Sequence, residues 1–513
     1  MNAAWAASPC WPSACFCGPF CCPSLLAITA PLENRPEPLS CGLDKKCGKR
    51  GATFDFAPVN ILSSVRRALL GSLIAASTSA AQHDMSRMEG DTSRSLVAMS
   101  LGRAASGTSW LPDAAPRRAI HRSLGDWMLM AHGSVFGQYD RQETLHGDTQ
   151  LGVVDWEMFM AARPLAQGLF TARVMTSLEA LALGRRGYPE LLQSGAEDAG
   201  ARLANRQHPH DLWNEIAVSY DHSVSPWLAA FAYGAAVGEP ALGPVAYMHR
   251  PSADADPFAP IGHHWQDAAH ESFGVITAGV YGARARLEGS VFNGREPDDY
   301  RFNLDYQDAR LDSYAARVTV VPSARVTASA WGGYIFDHDP LDPGTGMQRY
   351  GASLLTVLPG AKDGAWSAAF VGGINIHHHG ARAHSHGVDP AQSYHVATST
   401  LVETTYELGD RASIYGRAEQ VQKSADDLGF NGADLMQLFT VRALTLGATT
   451  ELVTARELSF GIGARGTLNV LPTTLEPTYG TRTPVGFALF VRVRPERASG
   501  PSMRAASPVA GSR

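Results

Sequence analysis

Residues 456–470 read RELSFGIGARGTLNV, in which Leu458, Phe460, Ile462, Ala464, Leu468 and Val470 alternate with Ser459, Gly461, Gly463, Arg465, Thr467 and Asn469. Apolar and polar positions recur with period two, so a strand built from them has one oily face and one polar face. TPVGFALFVRVR (483–494) repeats the pattern, with Val485, Phe487, Leu489, Val491 and Val493 on the apolar side. RARLEGSVF sets Ala285, Leu287, Gly289 and Val291 against Arg284, Arg286, Glu288 and Ser290. The same alternation predicts strands near 126–138, 151–163, 168–180, 211–221, 226–237, 271–281, 284–293 and 311–321. It continues near 324–336, 347–358, 365–377, 393–407, 411–422, 436–449, 457–470 and 483–494. These segments exceed the ~5–6 residues usual in soluble sheets and match the ~9–11 that a tilted strand needs to cross a bilayer.

The connections sort by parity. Short turns such as RPLAQG, DHSVS, YGA, PSA, PGAKDG and ELGDR follow even-numbered strands, and longer loops, including 181–210 and 238–270, follow odd-numbered ones. Short turns on one rim and long loops on the other mark an outer-membrane barrel. The expected fold is all-β: a closed antiparallel transmembrane β-barrel of about sixteen strands over residues 125–494, with periplasmic turns and extracellular loops. A secreted soluble propeller or sandwich is the competing architecture. It would pack large apolar residues inward and keep charge outside, whereas here Arg and Glu stand in mid-strand opposite a smooth apolar face. No stretch of ~18 apolar residues follows residue 81, which excludes helical spans.

Composition adds the compartment. The 513-residue chain carries a net charge of −6 with 18% charged residues, which argues against a nucleic-acid partner, since that would favour a basic face. All the cysteines (Cys10, Cys15, Cys17, Cys21, Cys22, Cys41 and Cys47) precede residue 50 and form no paired zinc-site pattern. VRRALLGSLIAASTSAA (65–81) has the basic start, short apolar run and small-residue cleavage site of a secretory signal. The expectation is therefore that translation starts near Val65, at a GTG codon, and that residues 1–64 are a gene-assignment extension. Residues 82–124 show no periodicity and are expected on the periplasmic side or inside the lumen. The tail 495–513 reads as disordered; it departs from bacterial barrels that finish on an aromatic residue.

Several blocks carry a resemblance: ASGTSW (105–110), GDWMLMAHG (125–133), RQHPHDL (206–212), GEPALGPVAYMHRPSA (238–253), GHHWQDAAH (262–270), VFNGREPDD (291–299), LDSYAARVTV (311–320) and YGTRTPVGF (479–487). Together they resemble a group of uncharacterised Gram-negative proteins taken to be outer-membrane barrels, a group with no established activity. The resemblance implies the barrel architecture and export, and supplies no chemistry.

With the polar phase turned inward, the lumen wall is expected to carry Arg173, Arg284, Arg286, Arg317, Arg417, Arg442, Arg465 and Arg492. The same phase offers Asp155, Glu157, Glu179, Glu215, Glu288, Glu403, Glu407 and Glu419. Balanced signs argue for cross-strand pairs that hold the wall in shape rather than for simple ion selectivity. About sixteen strands leave room for an aqueous channel unless loops plug it. The two long loops supply His208, His210, Asp211, His263, His264, Asp267 and His270. These are ligand types for a divalent transition metal such as copper or zinc, or else members of a hydrogen-bonded loop network that fixes a constriction. The run HHHGARAHSH (377–386) has no carboxylate and no rigid scaffold, so it is read as an exposed tract at the long-loop rim.

The functional expectation is a porin-like channel or small-solute binding protein in contact with outer-membrane lipid, with loops 181–210 and 238–270 as plug or lid. A metal-handling barrel is the second reading. A lipid hydrolase using His270 and Ser272 is the third, although no nucleophile motif surrounds them. N-terminal sequencing of the exported protein checks the start: the mature chain is expected to begin after Ala81 and to contain no cysteine, and recovery of Cys10–Cys47 would refute this.

Overall fold

The structure is a computed structural model; it describes residues 95–267, 271–306, 310–378, 380, 394–430 and 434–497. The cysteine-bearing start, the signal-like stretch 65–81 and the tail beyond residue 497 lie outside those residues. The main sheet has 17 strands, of which 16 form a closed antiparallel barrel. They are β1 (Trp127–Glu143), β2 (Thr149–Leu165), β3 (Gly168–Thr176), β4 (Trp213–Ser225), β5 (Leu228–Gly238), β6 (Ser272–Tyr281), β7 (Ala285–Phe292) and β8 (Ser313–Ser323). The rest are β9 (Val326–Phe336), β10 (Gly346–Pro359), β11 (Ala365–His378), β12 (Tyr394–Leu408), β13 (Ala412–Ser424), β14 (Leu438–Ala455), β15 (Leu458–Val470) and β16 (Val485–Pro495). Each pairs with the next, and β16 returns to β1 from Val493 opposite Val135 to Val485 opposite Glu143. Closure leaves the wall no free strand edge to pair with another chain. The remaining strand, Ile120–Leu124, takes the same edge of β1 beyond β16, with Ile120 opposite Ala131.

All the predicted strands exist, and the parity rule holds. Turns 166–167, 226–227, 282–284, 324–325, 360–364, 409–411 and 456–457 lie on one rim. The strand ends 143 and 149, 176 and 213, 238 and 272, 292 and 313, 336 and 346, 378 and 394, 424 and 438, and 470 and 485 lie on the other. Boundaries moved where side chains overrode alternation. β3 stops at Thr176, short of the expected 180, because Ser177 and Leu178 turn away to hydrogen-bond Asp155. β14 runs on to Ala455 and closes through Arg456 and Glu457, both at positive φ (53° and 67°). Such a pair suits a two-residue hairpin turn, and Glu457 is held there by Arg122.

The outward phase is an apolar belt. Leu446 is 63% exposed, Leu287 58%, Ile414 57% and Val491 55%, with Phe370, Val402, Leu444 and Leu489 also outward. A continuous apolar surface of this extent is a membrane-facing one. Aromatics flank the belt: Trp227 in turn 226–227 and Trp366 at the start of β11 on one rim, Tyr350 and Tyr394 toward the other, the girdle arrangement of transmembrane barrels. Leu446→Arg, in the middle of β14, is therefore expected to destabilise the barrel in lipid vesicles by about 2–4 kcal/mol. Leu145→Arg, 74% exposed in connection 144–148, should change stability by less than about 0.5 kcal/mol; equal effects in denaturant unfolding would contradict a lipid-facing belt.

Candidate functional site

Strand alternation turns a set of charges inward, and the chain itself fills the space they face. Helix α1 (Leu96–Arg103) is capped by the Ser95 hydroxyl, which accepts from the Ala98 N–H. With the residues after it, α1 occupies the short-turn half of the lumen. Arg103 donates to the carbonyl of Ala283 in turn 282–284 (2.8 Å), and the Ala114 N–H bonds the carbonyl of Ala324 in turn 324–325 (2.8 Å). Arg173 donates to the carbonyls of Ala105 (3.2 Å) and Gly107 (2.5 Å). Trp110 lies against Arg103 and Arg286, and the Arg286 guanidinium sits 3.6 Å from the Phe231 ring centroid. Of the two expected positions for residues 82–124, the lumen is where the described residues 96–110 lie.

Connection 239–271 fills the middle. Arg250 is fully buried, its Nε 2.6 Å from Glu403 on β12. Asp256 faces Arg417 on β13 (3.5 Å) and Arg465 on β15 (3.4 Å). The Gly262 N–H donates to Glu419, Gln266 to the Ser399 hydroxyl, and Arg349 to the His264 carbonyl. Connection 177–212 lies against it: Glu190 reaches Arg465 (3.7 Å), Lys423 donates to Ser194 (2.9 Å), and Gln193 to the Pro260 carbonyl (3.0 Å). Its hairpin, residues 196–203, extends to the mouth, where Arg202 binds both Asp339 and Asp426. A cavity of about 50 Å³ remains between α1 and the wall, lined by Arg173, Arg286, Asp221, Tyr233 and Trp110 among others.

Of the expected lumen residues, Arg173, Arg286, Glu288, Arg317, Arg417, Glu419, Arg465 and Arg492 are buried on the inner face, with Glu215, Glu403 and Glu407. Five expectations fail. Arg284 is exposed, because it belongs to turn 282–284 and not to a strand. Arg442 is exposed and points outward, because its neighbour Val441 takes the inner phase; its guanidinium binds the outward Gln420. Asp155 and Glu157 also stand on the phase opposite to Met158 and Met160, and Glu179 lies in the turn of helix Glu179–Leu183 rather than on a strand. Cross-strand pairing is present, as in Arg317–Glu288 (2.8 Å) and Arg173–Glu215 (2.8 Å). The wall's other partners come from the plug. Those residues, Glu190, Arg202, Glu239, Arg250, Asp254 and Asp256, lie outside the strand alternation from which the lumen residues are expected. Their only signal was carboxylates and arginines placed between prolines in the two longest loops.

The metal candidates are brought close together but engaged elsewhere. His208 and His264 have ring centroids 5.2 Å apart, and His263 and His264 5.1 Å. His263 Nδ1 lies 2.5 Å from Asp267, His210 bonds Glu179 through both its ring Nδ1 (3.0 Å) and its N–H (2.9 Å), and Asp211 pairs with Arg301 (3.0 Å). No group of three such side chains is placed to hold a metal ion among the described residues. His270, the remaining candidate for metal and for a lipid hydrolase, lies outside the described residues. The geometry is that of a carboxylate–histidine network that fixes the folded loops.

No protein-family model matches the chain, and no curated protein matches it. Solved structures with a similar course include the Salmonella typhi OmpF complex with daunomycin, 11% identical with a TM-score of 0.43, covering 73% of this chain and 100% of that one. The anion-selective porin from Comamonas acidovorans is 10% identical with a TM-score of 0.41, covering 72% and 99%. The outer membrane channel DcaP of Acinetobacter baumannii is 9% identical with a TM-score of 0.39, covering 73% and 99%. The barrel assignment rests on the strand pairing itself.

The loop network titrates. Burial disfavours the charged form of His210, but the adjacent Glu179 carboxylate, helped by Glu271 and Asp211, outweighs it and raises the imidazole to about 9. A pKa raised on folding stabilises fully below the unfolded value of about 6.5, and that contribution is lost as pH climbs through about 9. Amide exchange across 205–212, corrected for intrinsic rate, should therefore accelerate as pH rises through about 9. In Glu179→Gln it should already be fast at neutral pH and lose that step. An unchanged profile in the variant would contradict the pairing.

Proposed function

We propose that this chain is an outer-membrane barrel of porin-like construction that passes or binds a small solute when its internal plug shifts. The apolar belt and the two unequal rims support residence in outer-membrane lipid, with the long loops outside. The observation that carries the reading is the chemistry of the wall behind the plug. Inward positions are occupied by small polar side chains, among them Thr277, Ser290, Ser353, Ser367, Ser399 and Thr445, in addition to the charged residues. A wall meant to stay dry would be lined with large apolar groups packed on one another. A wall of hydroxyls, arginines and carboxylates is wettable once the loops move, like the interior of a water-filled barrel.

The plug can be locked deliberately. A Cβ placed on Gly262 falls 2.8 Å from the Ser399 hydroxyl oxygen on β12, so cysteines at the two positions are expected to bring their sulfurs within bonding reach. Gly262→Cys with Ser399→Cys, in the mature chain, is expected to show stepwise conductance in planar bilayers under reducing conditions. It should fall silent on oxidation and recover with reductant. Silence in both redox states, or identical conductance in both, would contradict the reading.

A further inference from the structure

The histidine run does not begin in a loop. His377 and His378 are the last residues of β11, and His377 stands directly opposite His395 of β12. The two rings are parallel, with centroids 4.7 Å apart. His377 also pairs with Met347, a buried residue of the inner phase, and His395 shares the phase of buried Ala397. Both imidazoles thus face the lumen at its long-loop mouth. A third, His338, follows the end of β9 and lies 5.5 Å from the His377 ring. Its Nδ1 is shut away from solvent without a hydrogen-bond partner.

We propose that His338, His377 and His395 form a binding site for one divalent transition-metal ion of the copper, nickel or zinc type. Imidazole nitrogen is a preferred donor for these ions. The shared sheet register holds the Cβ atoms of His377 and His395 ~4.5–5.5 Å apart, and two imidazoles so placed can both direct nitrogen at an ion ~2.0–2.1 Å away. The described side chains do not yet converge on one point, so binding turns the stacked rings about their side-chain bonds while the strands stay in place. The site differs in kind from the His208, His210 and His263 group. There the ring nitrogens face the Pro209 carbonyl, Glu179 and Asp267, and metal binding has to break those bonds. His338 presents a buried nitrogen with no bond to break. The ion would sit ahead of the plug, joining β11, β12 and connection 337–345, whose Asp339 also anchors Arg202. The proposal stands whether or not the plug moves.

The competing source of metal affinity is the rest of the run, His379, His384 and His386, which lies outside the described residues. Untagged barrel is titrated with copper(II) alone, and the bound ion is read by calorimetry and by the nitrogen couplings of its paramagnetic resonance spectrum. One ion per barrel with three nitrogen donors is expected. His377→Ala with His395→Ala should weaken it by about a hundredfold or more, beyond what loss of a supporting residue costs, with an unchanged β-sheet circular dichroism spectrum. Ala at positions 379, 384 and 386 together should leave the site intact, and His338→Ala alone should remove one nitrogen coupling. The proposal is overturned if the double variant titrates like wild type, if the 379/384/386 variant loses the site, or if wild type takes up no copper.

Discussion

A charge that strand alternation turns into a filled lumen must meet an opposite charge or a hydrogen-bond partner within a few ångströms, because no bulk water is there to solvate it. This constraint organises the molecule. Glu403 sits between Arg250 of the plug and Arg417 of the wall; Arg417 continues to Asp256, Asp256 to Arg465, and Arg465 to Glu190. The chain of ion pairs passes from β12 to β13 and β15 through two different loops. It explains why the loops enter the barrel at all, since their carboxylates and Arg250 compensate charges that the wall leaves unpaired. Pairs of this kind add little net stability, but loss of one partner strands a buried charge, at a cost of about 3–5 kcal/mol.

Apolar contacts then set how firmly each part of the plug seats. Ile261 and Trp265 pack with Ala397, Val421 and Leu191, whereas Trp110 and Leu96 join Phe231, Tyr233 and Trp331 nearer the short turns. The N-terminal segment and connection 239–271 also meet directly: Leu242 joins the cluster of Leu96 and Trp110, and Ala105 packs in one cluster with Val245. At the mouth the hairpin 196–203 is held by Arg202 between Asp339 and Asp426 and by the Ala199 N–H, which donates to Asp299 (2.7 Å).

The barrel was legible because its exterior is written residue by residue: lipid demands an apolar group at every second position, and that periodicity survives in a single sequence. Phase was less secure near strand ends. Arg442 was assigned inward because it follows the polar alternation of its segment, but at the loop end of β14 an arginine can face the lipid headgroup level. Arg284 looked like the first inward position of β7 and is in fact a turn residue. The plug was legible only as two long proline-bearing loops. Nothing in Arg250 or Asp256 distinguishes a lumen residue from a solvated one until the wall around it is known. The same limit applies to the histidines: sequence density favoured RQHPHD and GHHWQDAAH, while strand register gathered His377 and His395, eighteen positions apart, and added His338 from another connection.

The filled lumen is the premise that everything else depends on, and because every cysteine precedes residue 50, thiol labelling of a chain expressed from residue 82 onward tests it. Ala255, fully buried in connection 239–271, and Leu145, exposed in connection 144–148, are each replaced by Cys and challenged with a bulky hydrophilic maleimide in folded and denaturant-unfolded barrel. A plugged lumen predicts that Leu145→Cys labels at once in both states and Ala255→Cys only after unfolding. Rapid labelling of Ala255→Cys in the folded barrel would place that loop in solvent and contradict the account.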